Sequence, residues 1–449
     1  MELLVPEYVQ KVLCALHSAG WQAYLVGGCV RDSLLDKVPS DWDIAAESEP
    51  LQTKKALSAF HCIETGLQHG TITAVSDGHP VEVTTFRIDG NYSDNRRPDG
   101  VTFTRSLVED LRRRDFTINA MAWQGGDLVD LFAGQADLQN GVVRCVGEPK
   151  VRFAEDGLRI LRALRFASVL DFKVEESTAQ AVHRQRGLLR NIAFERISVE
   201  LTKFLCGPGA GRILAEFSDV LFTVIPELAA QKGCLQRGPY HLYDVWGHTL
   251  HAVEAAPPKP ELRLAMLLHD IGKPACRTTD EKGMDHFYRH EEVGAEMAQQ
   301  VLRRLRFSGK QSHVVCEGIR RHMLFLAPDE KLLKRRLRQF GPDFCFFLLE
   351  MQRADTRAQA PAVFGRLREL NHTEALLKKI VAEQACFSRA QLAVSGNDLL
   401  ALGLQGHAVG RALGWMLDAV IAGRCQNEKQ ALLQCWKQQA EAPDKLKNE

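Results

Sequence analysis

The sequence predicts an α/β head followed by an all-helical remainder. Three observations carry this: short β-like runs alternate with helical segments up to Gly147, the strand signal stops after Glu148, and helical spacing then continues almost to the end. At 449 residues the chain has room for about three domains of ordinary size.

Met1 to Gly20 reads as a mixed amphipathic helix, without a basic segment leading into a cleavable apolar core. β-like runs follow at 23–26, 71–75, 81–86, 101–103 and 142–146, and helical spacing covers 152–167, 177–186, 195–205 and 211–217. Pro- and Gly-bearing joints stand at 206–209, 257–260 and 341–342, and there is no internal repeat. The expected division is a head over 1–147, a helical neck over 148–206, a helical body over 207–380 and a helical tail over 381–449. Hydrophobic residues at 45% and charged residues at 25% are ordinary globular values, and no apolar run is long enough to span a bilayer. Twelve cysteines lie singly, with no Cys-x-x-Cys pair, which suggests reduced packing thiols. These features lead us to expect a cytoplasmic protein with no membrane partner. The net charge of +1 conceals basic runs at 112–114, 303–306 and 334–338, each either a solvated helix face or an RNA track.

The chemistry starts at Tyr24-Leu25-Val26-Gly27-Gly28-Cys29-Val30-Arg31-Asp32, followed by Ser40-Asp41-Trp42-Asp43-Ile44. A strand ending in two glycines lets backbone approach an oxyanion, the following helix start offers free N–H groups, and Arg31 adds a forked cation. In an extended segment Asp41 and Asp43 project to one face and Trp42 to the other, which suits Mg²⁺. Alone, either piece is a turn or a solvated loop; together and in strand–turn–helix–strand order they resemble the opening motif of the tRNA nucleotidyltransferase and bacterial poly(A) polymerase family, within the polymerase β-like superfamily. Glu82, on the alternating strand 81–87, is either an exposed carboxylate or a third acidic contribution.

Arg113-Arg114-Asp115-Phe116-Thr117-Ile118-Asn119-Ala120-Met121-Ala122 suits a triphosphate clamp in which guanidiniums fork phosphate oxygens, with the small residues leading into an apolar helix. It resembles the family's second motif. Asp130-Leu131-Phe132-Ala133-Gly134 resembles the third, a hinge, though taken bare it is a turn. In 154–167, Asp156 and Arg159 sit three apart, side by side if the segment is one helix. The pair is either an intrahelical ion pair or a protein template, since Asp accepting an exocyclic amine and Arg donating to the adjacent ring nitrogen fit cytosine and adenine but not uracil or guanine. The stretch resembles the Glu-Asp-x-x-Arg motif of the class II tRNA nucleotidyltransferases, the CCA-adding enzymes. The segment 191–203, with Glu195, Arg196 and Glu200, resembles the helix that stiffens that template. The loop from Asp89 to Pro98, with Arg96 and Arg97, resembles the family's flexible loop.

The resemblance implies a nucleotidyltransferase head, addition of CCA to tRNA 3′ ends from CTP and ATP, and catalytic Mg²⁺ held by Asp41 and Asp43. It also implies a nucleotide-binding set of Gly28, Arg31, Arg114, Asp115, Asn119, Asp156, Arg159, Arg162 and Arg165. The alternatives are an A-only tRNA-adding enzyme or poly(A) polymerase with the same head. In the body, His248, His269, Asp270, His290, His322 and Asp355 resemble the ligand order of HD metal-dependent phosphohydrolases, implying an HD domain with a divalent transition metal and, as an activity of another class, hydrolysis at RNA ends.

Overall fold

The run Ala23-Tyr24-Leu25-Val26 lacks polar alternation, as suits a strand covered on both faces, and it becomes an interior strand of a seven-stranded sheet. The computed structural model describes residues 3–67, 70–90 and 100–441. The chain divides into two compact units, Met1–Ala229 with Val301–Phe307, and Ala230–Gln300 with Ser308–Glu449.

The first unit begins with α1 (Glu7–Ser18), β1 (Ala23–Val26), α2 (Gly28–Leu34), β2 (Asp43–Ala46), α3 (Pro50–Ala56), β3 (His61–Gly66), β4 (Thr71–Ser76), β5 (His79–Thr85), β6 (Arg87–Asp89) and β7 (Val101–Phe103). It continues through α4 (Leu107–Arg112), β8 (Met121–Gln124), β9 (Asp127–Asp130) and α5 (Gly134–Asn140). The sheet order is β3-β4-β5-β2-β1-β8-β9, with β2 and β5 parallel and the other neighbours antiparallel. α1 buries Val9, Val12, Leu13 and Leu16, one helical stripe, against this sheet. β5 buries Val81, Val83 and Thr85 and leaves Glu82 outward, so alternation alone sets which face carries the carboxylate.

Two expectations for this unit are corrected. Ala120-Met121-Ala122 does not enter a helix: Thr117–Asn119 makes one 3₁₀ turn, and Met121–Gln124 is β8, paired to β1 through Leu25↔Trp123 and Val26↔Ala122. An apolar run buried on both faces reads equally as helix or strand, and here the open ladder of β1 decides. The helix expected over 152–167 is two helices, α6 (Pro149–Glu155) and α7 (Arg159–Leu170). Asp156 is extended at φ −135°, and a Cβ on Gly157 would lie 3.0 Å from Leu188 Cβ and 3.2 Å from its carbonyl oxygen. The break falls where the chain passes close to the 3₁₀ segment Arg186–Asn191, and a side chain at 157 would require Leu188 to give way by a few tenths of an ångström.

α8 (Glu176–Gln185), α9 (Phe194–Leu205), α10 (Ala210–Glu216) and α11 (Ser218–Val224) complete this unit, with α9 packed along α7. The second unit holds α12 (Val245–Ala255), α13 (Pro260–Leu268), α14 (Lys273–Cys276), most of α15 (His290–Arg304), α16 (Gly309–Arg321), α17 (Glu330–Phe340), α18 (Pro342–Arg357) and α19 (Gly365–Ala382). α20 (Gly396–Ala401), α21 (His407–Ile421) and α22 (Lys429–Glu441) follow, around a core that includes Leu399, Met416 and Leu432. α12 packs on α13 and α18, and α13 also meets α16. Beyond residue 148, strand among the described residues is limited to the two-residue pieces Lys173–Val174, Thr278–Thr279 and Asp285–His286. No helix of the described residues is long and apolar enough to cross a membrane. Of the segment from Asp89 to Pro98, residues 91–98 lie outside the described residues.

Candidate functional site

β1 ends at Gly27, whose φ of +77° and ψ of −127° suit glycine alone, and α2 starts immediately after it. A Cβ on Gly27 would stand 3.0 Å from Arg114 Nη1, so the missing side chain is also what lets the guanidinium reach the turn. Asp43 opens β2 directly opposite Glu82 of β5, while Trp42 turns into the core and Asp41, just ahead of the strand, accepts from Ser40 Oγ at 2.8 Å. Burial, with the Glu82 carboxylate beside it, pushes the Asp43 carboxyl up to about 6 although Arg114 opposes the shift. Concentrated negative charge of this kind fits a divalent cation.

The expected clamp is built on a residue that sequence reasoning did not select. Asp110 in α4 is fully buried; its Oδ1 accepts from Arg113 Nε and Nη2 at 3.0 and 2.7 Å, and its Oδ2 accepts from Arg114 Nη2 at 3.2 Å. Burial works against its ionisation, yet Arg114 and Arg113 more than offset this and hold its carboxyl below the usual range. Its spacing of three and four residues from the arginines was the signal available in the sequence. Arg114 Nε remains buried without a hydrogen-bond partner and faces the same cavity.

Asp115 ties this region to α7. Its Oδ1 accepts from Phe116 N at 2.9 Å and Asn119 Nδ2 at 3.3 Å, and its Oδ2 accepts from Arg162 Nε at 2.8 Å and Nη2 at 2.5 Å. Burial pushes this carboxyl up, but Arg162 and Arg159 overcome it and hold the pKa at about 2. Asn119 Oδ1 in turn accepts from Arg31 Nη1 at 2.7 Å. Phe166, which no sequence pattern singled out, carries three guanidiniums around its ring: Arg165, Arg31 and Arg162 at 4.1, 5.1 and 5.5 Å from the centroid.

Because the helix breaks between them, Asp156 and Arg159 are not stacked on one helical face, which corrects that expectation. Just ahead of α7, Asp156 Oδ1 accepts from Leu158 N at 3.0 Å, and its Oδ2 accepts from Arg196 Nη2 of α9 at 2.8 Å. Arg159 is held by Glu155 and donates to the carbonyls of Arg152 and Arg113, each at 3.1 Å. Both side chains still line one cavity of about 810 Å³, together with Gly28, Arg31, Asp41, Asp43, Arg114, Asp115, Asn119, Arg162 and Arg165. All the residues expected at the nucleotide site therefore face one space. Eight arginines line it, which suits a polyanion with a planar base at one end.

The second unit gathers the six expected His and Asp residues around Asp270. His248 Nε2 lies 2.9 Å from Asp355 Oδ1 and 3.5 Å from Asp270 Oδ2, and His269 Nε2 lies 3.2 Å from Asp270 Oδ2. On the other side, His290 and His322 approach Asp270 Oδ1 at 3.4 and 3.9 Å. All four histidines direct Nδ1 at backbone carbonyls, of Ala358, Met266, Phe287 and Ile319, which leaves every Nε2 facing inward as in ligating imidazoles. Burial, with His269 nearby, holds His322 down at about 4, neutral at neutral pH. Neither Asp270 oxygen completes a hydrogen bond, although Lys273 Nζ lies 2.6 Å from Oδ2. Two three-residue sets, His248/His269/Asp270 and Asp270/His290/His322, have the spacing to hold metal ions.

Three family models match: "Poly A polymerase head domain" over 23–144, "Probable RNA and SrmB- binding site of polymerase A" over 171–232 and "tRNA nucleotidyltransferase domain 2" over 280–436. The CCA-adding enzyme of Lactobacillus helveticus is 46% identical over 230 residues, 51% of this chain and 57% of the relative. The chain thus spans little more than half the length of that relative and of others like it. The CCA-adding enzyme of Levilactobacillus brevis is 34% identical over 95% of this chain and 96% of its own. The crystal structure of the Bacillus stearothermophilus CCA-adding enzyme in complex with CTP superposes with a TM-score of 0.74 at 29% identity, covering 97% of each chain. Fold and cavity define a protein with a poly(A) polymerase-type head joined to a helical remainder. The two near-complete alignments, to L. brevis and to Enterococcus faecalis at 33% identity, make the assignment finer: the chain belongs to the CCA-adding enzyme family.

Replacing Asp110 with Ala leaves Arg113 and Arg114 without their buried counter-charge. The expected cost is roughly 3–5 kcal/mol in unfolding free energy, the scale for removing one partner of a buried pair. Urea denaturation checks it; a change under about 1 kcal/mol, the scale of an exposed pair, would show that Asp110 is not the anchor.

Proposed function

We propose that this chain adds CMP, CMP and AMP in turn to the 3′ end of tRNA from CTP and ATP, releasing pyrophosphate, without a nucleic-acid template. The observation that carries this reading is the single cavity facing both the carboxylate pair and the Asp156/Arg159 pair. Within the first unit, residues 1–147 act as the catalytic head and 148–206 as the neck that carries the template. Asp41 and Asp43 would hold Mg²⁺, with Glu82 as a third acidic neighbour, and a bound ion would supply neutralisation of the charge that develops at the α-phosphorus. The turn at Gly27 and Gly28 admits phosphate oxygens close to backbone N–H groups, and Arg31, Arg113 and Arg114 bind the triphosphate. Asp115 and Asn119 keep Arg31 and Arg162 apart and aimed into the cavity.

Base choice follows from hydrogen-bond polarity. Asp156 accepts the exocyclic amine of cytosine or adenine, and Arg159 donates to the adjacent ring nitrogen. Uracil or guanine would set an oxygen against the carboxylate and an N–H against the guanidinium, at a cost of roughly 1–3 kcal/mol for each mismatched group. Arg196 and the capped Leu158 N–H hold the Asp156 carboxylate in one orientation, which makes the discrimination a property of the protein. CMP incorporation separates this reading from A-only addition and from poly(A) synthesis.

A second activity is favoured by the cluster around Asp270: metal-dependent phosphohydrolysis in an HD-type site. His248, His269, Asp270 and Asp355 would hold one divalent ion and Asp270, His290 and His322 another, and the mixed imidazole and carboxylate set suits Mn²⁺, Ni²⁺ or Fe²⁺ as well as Mg²⁺.

Asp43→Ala should lower the rate of nucleotide addition by at least about two to three orders of magnitude, the scale of losing a central electrostatic stabiliser, while tRNA binding persists. Single-turnover addition and filter binding measure the two, and near-normal turnover would sink the metal assignment. Arg159→Ala should raise UTP misincorporation relative to CTP by roughly 5- to 150-fold, the equivalent of 1–3 kcal/mol. An unchanged UTP to CTP ratio would contradict the template role.

A further inference from the structure

Asp43 lines two cavities. One is the arginine-rich space described above; the other, of about 210 Å³, is lined by Asp43 together with Glu82, Thr71, Thr84 and Arg87. Strand register builds this second wall. β2 and β5 set Asp43 opposite Glu82 and Ala45 opposite Thr84, while β5 and β4 set Thr84 opposite Thr71. Val81, Val83 and Thr85 of β5 and Ile72 and Ala74 of β4 are buried, so Glu82, Thr84 and Thr71 share the other face of the sheet. Both threonines are half-buried there, and their hydroxyls meet at 2.9 Å. In such a pair one O–H is spent on the other oxygen and the second O–H is not. Neither side chain has a further hydrogen-bond partner among the described residues. The pair therefore keeps one donor and several lone pairs to offer a ligand, two residues along β5 from the Glu82 carboxylate.

The reaction dictates what that ligand is. In an in-line displacement the attacking and leaving oxygens lie on opposite sides of the phosphorus. A triphosphate on the arginines and a base at Asp156 and Arg159 take up the larger cavity, so the attacking hydroxyl must reach Asp43 from elsewhere, and the smaller cavity is a space that shares this carboxylate. At about 210 Å³ it is below the range for whole ligands and fits a sugar ring. A terminal ribose whose 3′-hydroxyl points at Asp43 and Glu82 carries its 2′-hydroxyl on the next carbon, and that group both donates and accepts. Deoxyribose would leave the unspent threonine O–H unanswered.

We propose that Thr71 and Thr84 determine acceptor specificity: their hydroxyl pair binds the 2′-hydroxyl of the terminal ribose being extended, so that the smaller cavity distinguishes an RNA end from a DNA end. The inference rests on the reading of the chain as a nucleotidyltransferase acting on tRNA. The two threonines touch no reacting atom and act only by seating the acceptor sugar.

Single-turnover addition of the first C by the full-length protein at saturating CTP tests this, using tRNA that lacks its last three nucleotides and the same tRNA with a 2′-deoxy terminal nucleotide. Wild type should need about 2- to 12-fold more of the deoxy acceptor for half-maximal rate, the range for one neutral hydrogen bond. The double variant Thr71→Val/Thr84→Val removes both partners of the pair at nearly constant shape, which leaves folding close to unchanged. In it the two acceptors should become equivalent, while half-saturating CTP stays at the wild-type value. Thr71→Ser/Thr84→Ser, which keeps both hydroxyls, should restore the discrimination. Equal use of the two acceptors by wild type, or discrimination that persists in the valine variant, overturns the proposal. Filter binding of the same two RNAs without nucleotide reads the subsite separately from turnover. If wild type adds no nucleotide to either RNA, the functional reading fails; a preference for the ribose end in binding that the valine variant loses would still uphold the threonine pair, and equal binding would overturn it as well.

Discussion

The ion pair between the buried Asp115 and the half-buried Arg162 is the constraint on which the rest of the arginine-lined cavity depends. Asp115 follows the two clamp arginines in sequence and lies next to the turn leading into β8, while Arg162 belongs to α7. One carboxylate therefore joins the sheet to α7, whose start carries Asp156 and Arg159. Through Asn119 the same carboxylate reaches Arg31 at the head of α2, giving a continuous run Arg31–Asn119–Asp115–Arg162. Charge burial of this kind is costly unless every group is partnered, and here each is. The geometry that results is specific: arginines paired with carboxylates such as Asp110, Glu155 and Asp115 still line one open space, and three of them lie around the ring of Phe166.

The two clusters solve opposite electrostatic problems. In the first unit the arginine surplus is local, so a chain with a net charge of only +1 presents a strongly cationic cavity. Elsewhere the basic runs are largely neutralised in place: Arg304 is bonded to Glu227, Lys334 to Glu330 and Arg338 to Asp418. In the second unit four imidazoles surround one carboxylate, Asp270, that completes no hydrogen bond, and a hard oxygen set has been replaced by a mixed one. Their ligand sets suit different ions.

Much of this was legible in the sequence, and the failures have physical causes. The acidic couple was legible as a pair, although Asp43 opens β2 while Asp41 lies just ahead of it and lines the same cavity, and the glycines located the turn because the φ at Gly27 favours glycine. The helix over 152–167 was misread because its apolar periodicity runs straight through Gly157, where the chain lies tight against Leu188, a neighbour distant in sequence. Likewise β8 reads as helix until β1 offers it a ladder. Asp110 was detectable, three and four residues before the arginines it binds, whereas the place of Phe166 among three guanidiniums depends on packing that no local pattern encodes.

On the proposed function, the chain's own side chains select the nucleotides. Purified protein supplied with tRNA lacking its last three nucleotides, and with each labelled nucleoside triphosphate singly and in pairs, puts this to the test. Two C additions are expected with CTP alone, a completed CCA end with CTP and ATP together, and no extension by UTP or GTP. Extension by ATP alone into a homopolymer, or incorporation of all four nucleotides at similar rates, would contradict it.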